Sequence, residues 1–466
     1  MLFSSVPFLV YFLPCVLLVY FLVPGTLKNG VLLLASLLFY GWGEPRYLLV
    51  MLAAIAQGYV FGLLIEKSRG KRRAGLYLAL SVLLSLGTLA YFKYADFMIR
   101  NLNALTGLSV PLLSLALPVG ISFYTFQILS YTVDVYRGTV PAQRNLIDLA
   151  AYIAMFPQLI AGPIVRYSDI APELRSRTHT LSDAAAGTRR FVLGLAKKIL
   201  FANLLGELVS GFRASQEQSV LYFWLGAAAF TLQIYYDFSG YSDMAIGIGE
   251  FFGITLPENF EYPYLACSVG EYWRRWHISL SSWFRDYVYI PLGGSRCRLR
   301  RTCLNLLIVF ALTGLWHGAA WQYVVFGLLH GIILCMERLG LRRALEQLPR
   351  LFRHLYTVVL LWLTLVIFGA PGLSEGLAVL KGIFTWQSGA KGYTLAAFAD
   401  TKLLLILAAS FLLCGPVQAL CPKLKAALYA KKAPSPAGMA GLLVLLFLGL
   451  MRVTAGTYSA FIYFQF

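Results

Sequence analysis

Residues Thr302 to Met336 read TCLNLLIVFALTGLWHGAAWQYVVFGLLHGIILCM, 35 positions without one Asp, Glu, Lys or Arg. An α-helix needs about 20 mostly apolar residues to cross a bilayer core of ~30 Å, so this run is about long enough for two short spans. Basic clusters stand at both ends: Arg296, Arg298, Arg300 and Arg301 before it, Arg338, Arg342, Arg343, Arg350 and Arg353 after it. Cationic flanks mark cytoplasmic loops, and two spans return the chain to the side it left. The stretch is expected to be a helical hairpin in a membrane.

The composition agrees. Of 466 residues, 59% are hydrophobic and 13% charged, and mean hydropathy is +0.70, whereas soluble domains carry roughly 25% charged residues. A soluble enzyme is excluded. The net charge of +18 would suggest nucleic acid in a soluble chain; in a membrane protein it reflects cationic loops, and no nucleic-acid partner is expected. Seven scattered Cys form no disulfide framework.

Further uncharged stretches run from Met1 to Leu27, Asn29 to Gly43, Tyr47 to Ile65, Ala74 to Phe92, Ala104 to Val133, Ala150 to Val165, Gln218 to Tyr236, Leu355 to Ser374, Leu403 to Pro422 and Ala433 to Met451. The first has no basic n-region and reads as a span, not a signal peptide. Ala104 to Val133 is too long for one straight helix and contains Pro111 and Pro118, and Asn29 to Gly43 is too short, so broken or re-entrant segments are expected. Two more clusters, Lys67 to Arg73 and Lys423 to Lys432, alternate with the spans as the positive-inside rule requires and leave the N-terminus outside. The expected fold is an all-α polytopic membrane protein, residues 1–466 in one integral domain, with about eleven spans plus amphipathic helices.

Five His occur. His317, in TGLWHGAAW, lies inside the opening stretch, and an ionisable side chain at membrane depth is costly and a functional candidate. A neutral core His, or a hairpin-turn residue beside Gly318, is the plainer alternative. His277 lies in EYWRRWHISLSSWFRDYVYIPLGG (Glu271 to Gly294), where Trp273, His277, Leu280 and Phe284 would share one face of a continuous helix. An amphipathic helix on the cytoplasmic surface explains those aromatics and Arg274 and Arg285 without chemistry. In QIYYDFSGYSDM (Gln233 to Met244), Asp237 and Asp243 either cap the next helix or line a polar cavity, and PENFEYPY (Pro257 to Tyr264) reads as an extended, proline-fixed connection.

Several chemistries drop out. GLSEG (Gly372 to Gly376) imitates a nucleophile elbow but ends an apolar helix instead of a strand. No His is followed by Asp five positions on, as soluble-type glycerolipid acyltransferases require. No P-loop with GK[ST] occurs. His317 and His330 lie 13 apart, roughly 220° round one helix, and no metal site is expected.

WRRWHISLSSWFRDYVYIPLGG, followed 40 positions after its His by LTGLWHGAAWQYVVFGLLHG, resembles the membrane-bound O-acyltransferase superfamily. LASLLFYGWGEPRYL, LPVGISFYTFQILSYTVDVYRG, FPQLIAGPIVRYSDI and FIYFQF extend the likeness over nearly the whole chain, closest to the alginate O-acetyltransferase membrane subunit of bacteria. The resemblance implies a bundle around a central cavity, with His317 as catalytic base or acyl relay and His277 as the second motif position. It implies that Trp273, Arg274, Trp276 and Trp316 in the two His motifs, and Asp237 and Ser239 in QIYYDFSGYSDMAIG, which also shares the likeness, bind substrate. It further implies acetyl-CoA as a donor substrate with no tightly bound cofactor, an exported polysaccharide as acceptor, an extracytoplasmic acetyltransferase as partner, and a bacterial inner-membrane location. D-alanyl transfer from a carrier protein to teichoic acid, and acetylation of peptidoglycan or cellulose, are the enzymatic alternatives. A transporter of acyl or glycan groups is the non-enzymatic one, although no repeat symmetry supports it.

Overall fold

The computed structural model describes residues 2–160, 162–214, 219–385, 400–430, 434–455 and 461–462. Among these the chain is helical, without strands; one isolated bridge pairs Phe260 with Trp276. Contacts divide the described residues into two compact units, the first within residues 2–191 and 244–257, the second within 192–243, 258–430 and 434–462.

In the first unit α1 (Leu13–Leu22), α2 (Lys28–Gly43), α3 (Leu48–Lys67), α4 (Arg72–Thr106) and α5 (Ile121–Arg137) succeed one another. Helix α5 is buried along almost its whole length between α3 and α4. The uncharged stretch from Ala104 to Val133 is broken, as its prolines require. Helix α4 ends at Thr106, where Gly107 takes a left-handed conformation, and α5 starts only at Ile121. The Asp96 carboxylate holds the intervening loop by accepting from the Leu113 and Ser114 amides at 2.7 and 3.0 Å.

The second unit is organised by α6 (Val220–Phe251), the short α7 (Val269–Arg275) and α8 (Ile278–Phe284), then α9 (Leu299–His317), α10 (Trp321–Met336), α11 (Arg350–Gly369) and α12 (Pro436–Thr454). The expected hairpin is α9 and α10. Its arms approach until backbone meets backbone: a Cβ on Gly327 would come within 2.1 Å of the Phe310 carbonyl, and one on Gly314 within 2.2 Å of the Tyr323 carbonyl. Only glycine permits such contact, the usual device where lipid offers no hydrophobic driving force between helices.

Among the described residues six helices are long and apolar enough to cross a membrane, α9, α10, α11 and α12 included. They turn large apolar side chains outward; in α12 only 6% of the apolar window is buried. Such a surface is stable only in lipid, and this is a multi-pass membrane protein.

Three local expectations need correction. Glu271 to Gly294 is not one amphipathic helix: α7 stops at Arg275, Trp276 is extended, and His277 takes a left-handed conformation (φ 45°) before α8 begins. The connection from Pro257 to Tyr264 causes the break. It is non-helical from Pro257 to Glu261, but not extended to its end as expected: Tyr262 takes a left-handed conformation (φ 46°) and Pro263–Leu265 form a 3-10 turn. Its first part pairs alongside, with Glu261 N–H donating to the Arg275 carbonyl (2.9 Å) and Ile278 N–H to that of Asn259 (3.0 Å). Nor do Asp237 and Asp243 cap a helix; both lie inside α6 and are buried. Asp237 pairs with Lys198 at 2.6 Å and Asp243 with Lys197 at 2.7 Å, because a buried carboxylate persists only when paired.

Candidate active site

His277 is fully buried, and its ring nitrogens differ. Nδ1 lies 3.2 Å from Asn259 Oδ1, an oxygen that also accepts from the Ser279 amide (3.2 Å) and hydroxyl (2.8 Å). A backbone amide can only donate, so the atom facing it is the carboxamide oxygen and His277 Nδ1 carries the proton. Asn259 Nδ2 donates in turn to Ser242 Oγ at 3.1 Å. Nε2 is left with its lone pair, buried and without a hydrogen-bond partner among the described residues. Burial, and after it the nearby His317, holds this imidazole well below its usual range. A left-handed conformation in a non-glycine residue costs of order 1–3 kcal/mol, and here it places the ring where two short helices meet.

His317 is the last residue of α9, about 27 Å along the axis from Leu299, and is buried. The position is that of the hairpin-turn residue, at the end of the span farthest from Leu299. The Phe368 ring of α11 meets it edge-on at 5.1 Å and Trp316 at 5.1 Å, and Trp316 lies 5.8 Å from the His277 ring. Trp316 thus packs against both histidines.

A chamber of about 20 Å³ lies at His317, walled by Phe238, Trp273, Trp276, Phe326, Phe368 and Phe461 among others. A second cavity of about 990 Å³ is lined by Arg274, Arg285, Arg338, Arg342 and Arg343, opposed by Glu337 and Glu346. Trp273 belongs to the walls of both. Its indole N–H donates to His330 Nδ1 at 3.1 Å, so His330 carries its proton on Nε2, which lies 3.1 Å from Thr364 Oγ1. Thr364 donates its own hydroxyl hydrogen bond to the Leu360 or Leu361 carbonyl. Trp273 is therefore anchored through α10 to α11.

Of the residues expected from sequence, His317, Trp273 and Trp276 come together around the chamber, with Trp316 between the two histidines. Arg274 faces the arginine-lined vestibule. Asp237 stands behind the wall, accepting from the Ile462 amide at 2.6 Å, and Ser239 is buried in α6 without lining either cavity. Sequence reading missed Asn259 and His330. A faint signal existed for each: Asn259 is a lone amide in an extended connection, and His330 follows Phe326 by one helical turn.

The profile of the membrane-bound O-acyltransferase family matches residues 139–373. The chain is 38% identical to the protein named "Probable alginate O-acetylase AlgI" of Azotobacter vinelandii, over the whole of both chains. It is 44% identical to the protein of that name from Pseudomonas aeruginosa, over 83% of this chain and 76% of the relative. It is 35% identical to a peptidoglycan O-acetyltransferase of Helicobacter pylori, over 82% and 80%. These matches define a membrane acyl-transferring enzyme. The chain belongs to the membrane-bound O-acyltransferase family, in its alginate O-acetylase-like branch, and is an O-acyltransferase.

Proposed function

We propose that the enzyme takes an acetyl group from acetyl-CoA in the cytoplasm and passes it across the membrane for O-acetylation of an exported polysaccharide, alginate first among candidates. The observation that carries this reading is Trp273, shared by the arginine-lined vestibule and the chamber at His317. A phosphate-rich donor suits five arginines, and its thioester end, passing Trp273, reaches His317. The imidazole of His317 takes the proton of the acceptor hydroxyl, the alkoxide attacks the thioester carbonyl, and the tetrahedral intermediate collapses with the proton returning to the departing thiolate. His277 lines neither cavity and is fully buried; it acts on the site by positioning, through Trp316, whose ring packs against both imidazoles. The acceptor is the polymer itself or an extracytoplasmic acetyltransferase that completes delivery.

In this reading residues 1–466 act as one integral inner-membrane domain with about eleven spans, some of them re-entrant, and an extracytoplasmic N-terminus. Support for the orientation comes from the arginines before α9 and at the start of α11, which belong on the cytoplasmic side. The test is polymer ester content in a strain carrying His317→Ala at normal protein level. Ester is expected to vanish; unchanged acetylation sinks the proposal.

A further inference from the structure

Phe461 and Ile462 belong to no spanning helix, yet both line the chamber at His317. They are fastened there. Asp237, in α6, gives one oxygen to Lys198 at 2.6 Å and the other to the Ile462 amide at 2.6 Å. Both side chains of the ion pair are almost wholly buried, at 5% and 2% exposure. Such a pair bears a large desolvation cost and persists only when its lone pairs are satisfied, so removing Ile462 from Asp237 would leave a charge short of a partner. The segment is thereby held against α6, and the Phe461 ring packs 5.6 Å from Phe238 and 5.0 Å from Tyr241.

With Phe461 in place the space beside His317 is about 20 Å³, little more than a single water-sized sphere requires. A methyl group fills such a space. A longer chain has to displace aromatic rings packed at crystal-like density. Three other rings of the wall have duties elsewhere: Trp273 is bonded to His330, and Phe368 and Phe326 pack against His317 at 5.1 and 6.3 Å.

We infer that Phe461, pinned through Ile462 to Asp237, sets the acyl length this enzyme accepts, closing the chamber behind a two-carbon acyl group. The inference rests on the acetyl-donor reading above and adds to it the residue that measures the donor. Trimming Phe461 opens room for one or two methylenes, and a methylene in an apolar pocket is worth roughly 10–200-fold in discrimination.

The experiment uses the full chain in proteoliposomes, with acetyl-, propionyl- and butyryl-CoA supplied on the vestibule side and acyl release followed for wild type, Phe461→Ala and Phe461→Leu. In Phe461→Ala the propionyl-to-acetyl ratio of kcat/KM is expected to rise at least tenfold over wild type, with a smaller rise in Phe461→Leu, whatever the absolute rates. An unchanged ratio in variants that still turn over acetyl-CoA overturns this inference and leaves the donor reading intact. If Phe461→Ala fails to accumulate, Phe461→Leu decides by the same ratio. A wild type that turns over none of the three thioesters overturns the donor reading, and this inference with it.

Discussion

His277 donates from Nδ1 to the Oδ1 of Asn259 at 3.2 Å, and that oxygen simultaneously receives the amide and hydroxyl of Ser279. One neutral side chain therefore fixes the tautomer of a buried imidazole and caps the helix that follows it. Asn259→Ala removes an acceptor shared by three buried donors, each lost bond costing about 1–3 kcal/mol. Thermal unfolding in detergent is expected to drop by several degrees, with acyl transfer falling in protein that remains folded; Asn259→Ala indistinguishable from wild type in both respects would refute the arrangement.

The depressed pKa of His277 has a signed consequence. The cause is first burial and then the nearby His317; in the unfolded chain the same group titrates near its ordinary value of about 6.5. Below that pH the unfolded state binds a proton that the folded state refuses, so stability falls as pH drops. Above it both states are neutral and the contribution is flat. Melting temperature measured from pH 8 to 5 is expected to hold steady and then decline below about 6.5, and in His277→Gln the decline should be shallower by up to about 1.4 kcal/mol per pH unit.

His330 acts on the chamber through Trp273. His330→Ala leaves the indole N–H without its acceptor, a loss of about 1 kcal/mol or roughly fivefold, and frees the ring that stands between vestibule and chamber. His330→Gln, whose carboxamide oxygen can receive the same N–H, is expected to recover part of the activity. A purely structural role would show instead as equal losses of folded protein in both variants.

The vestibule arginines should act on donor binding more than on chemistry. Replacing Arg274 and Arg343 together by Gln is expected to raise KM for acetyl-CoA about tenfold, as removal of two charge-assisted contacts implies, with kcat changed less than threefold. The salt dependence of KM should also flatten. A fall in kcat at constant KM would place these arginines elsewhere in the cycle.

Close approach of α9 and α10 predicts a packing failure. In Gly327→Ala the new methyl meets the Phe310 carbonyl at 2.1 Å, and backbone on both sides cannot yield as a side chain does. Overpacking of about 1–3 kcal/mol is expected, read as lower folded yield and melting temperature, with His317 displaced and transfer reduced.

The 35 uncharged residues from Thr302 to Met336 and the arginines at their ends sufficed to place a hairpin, because apolar length and charge position are local properties that a bilayer reads directly. They also carried His317 to the far end of α9. Across Glu271 to Gly294 the same arithmetic failed. Helical periodicity cannot foresee that Asn259 and Glu261, more than ten residues upstream, pair with the backbone and interrupt the helix at His277. The remaining determinants are longer in range still: Trp273 meets His330 across 57 positions, Asp237 meets Ile462 across 225, and Arg274 and Arg285 join Arg338, Arg342 and Arg343 around one cavity. No local pattern encodes such meetings, since each depends on which helices the fold sets side by side. The sequence by itself determined a membrane hairpin and the histidine it carries; only the tertiary structure decided which asparagine orients the second histidine, which tryptophan stands between the arginine-lined cavity and the chamber, and how little room is left beside His317.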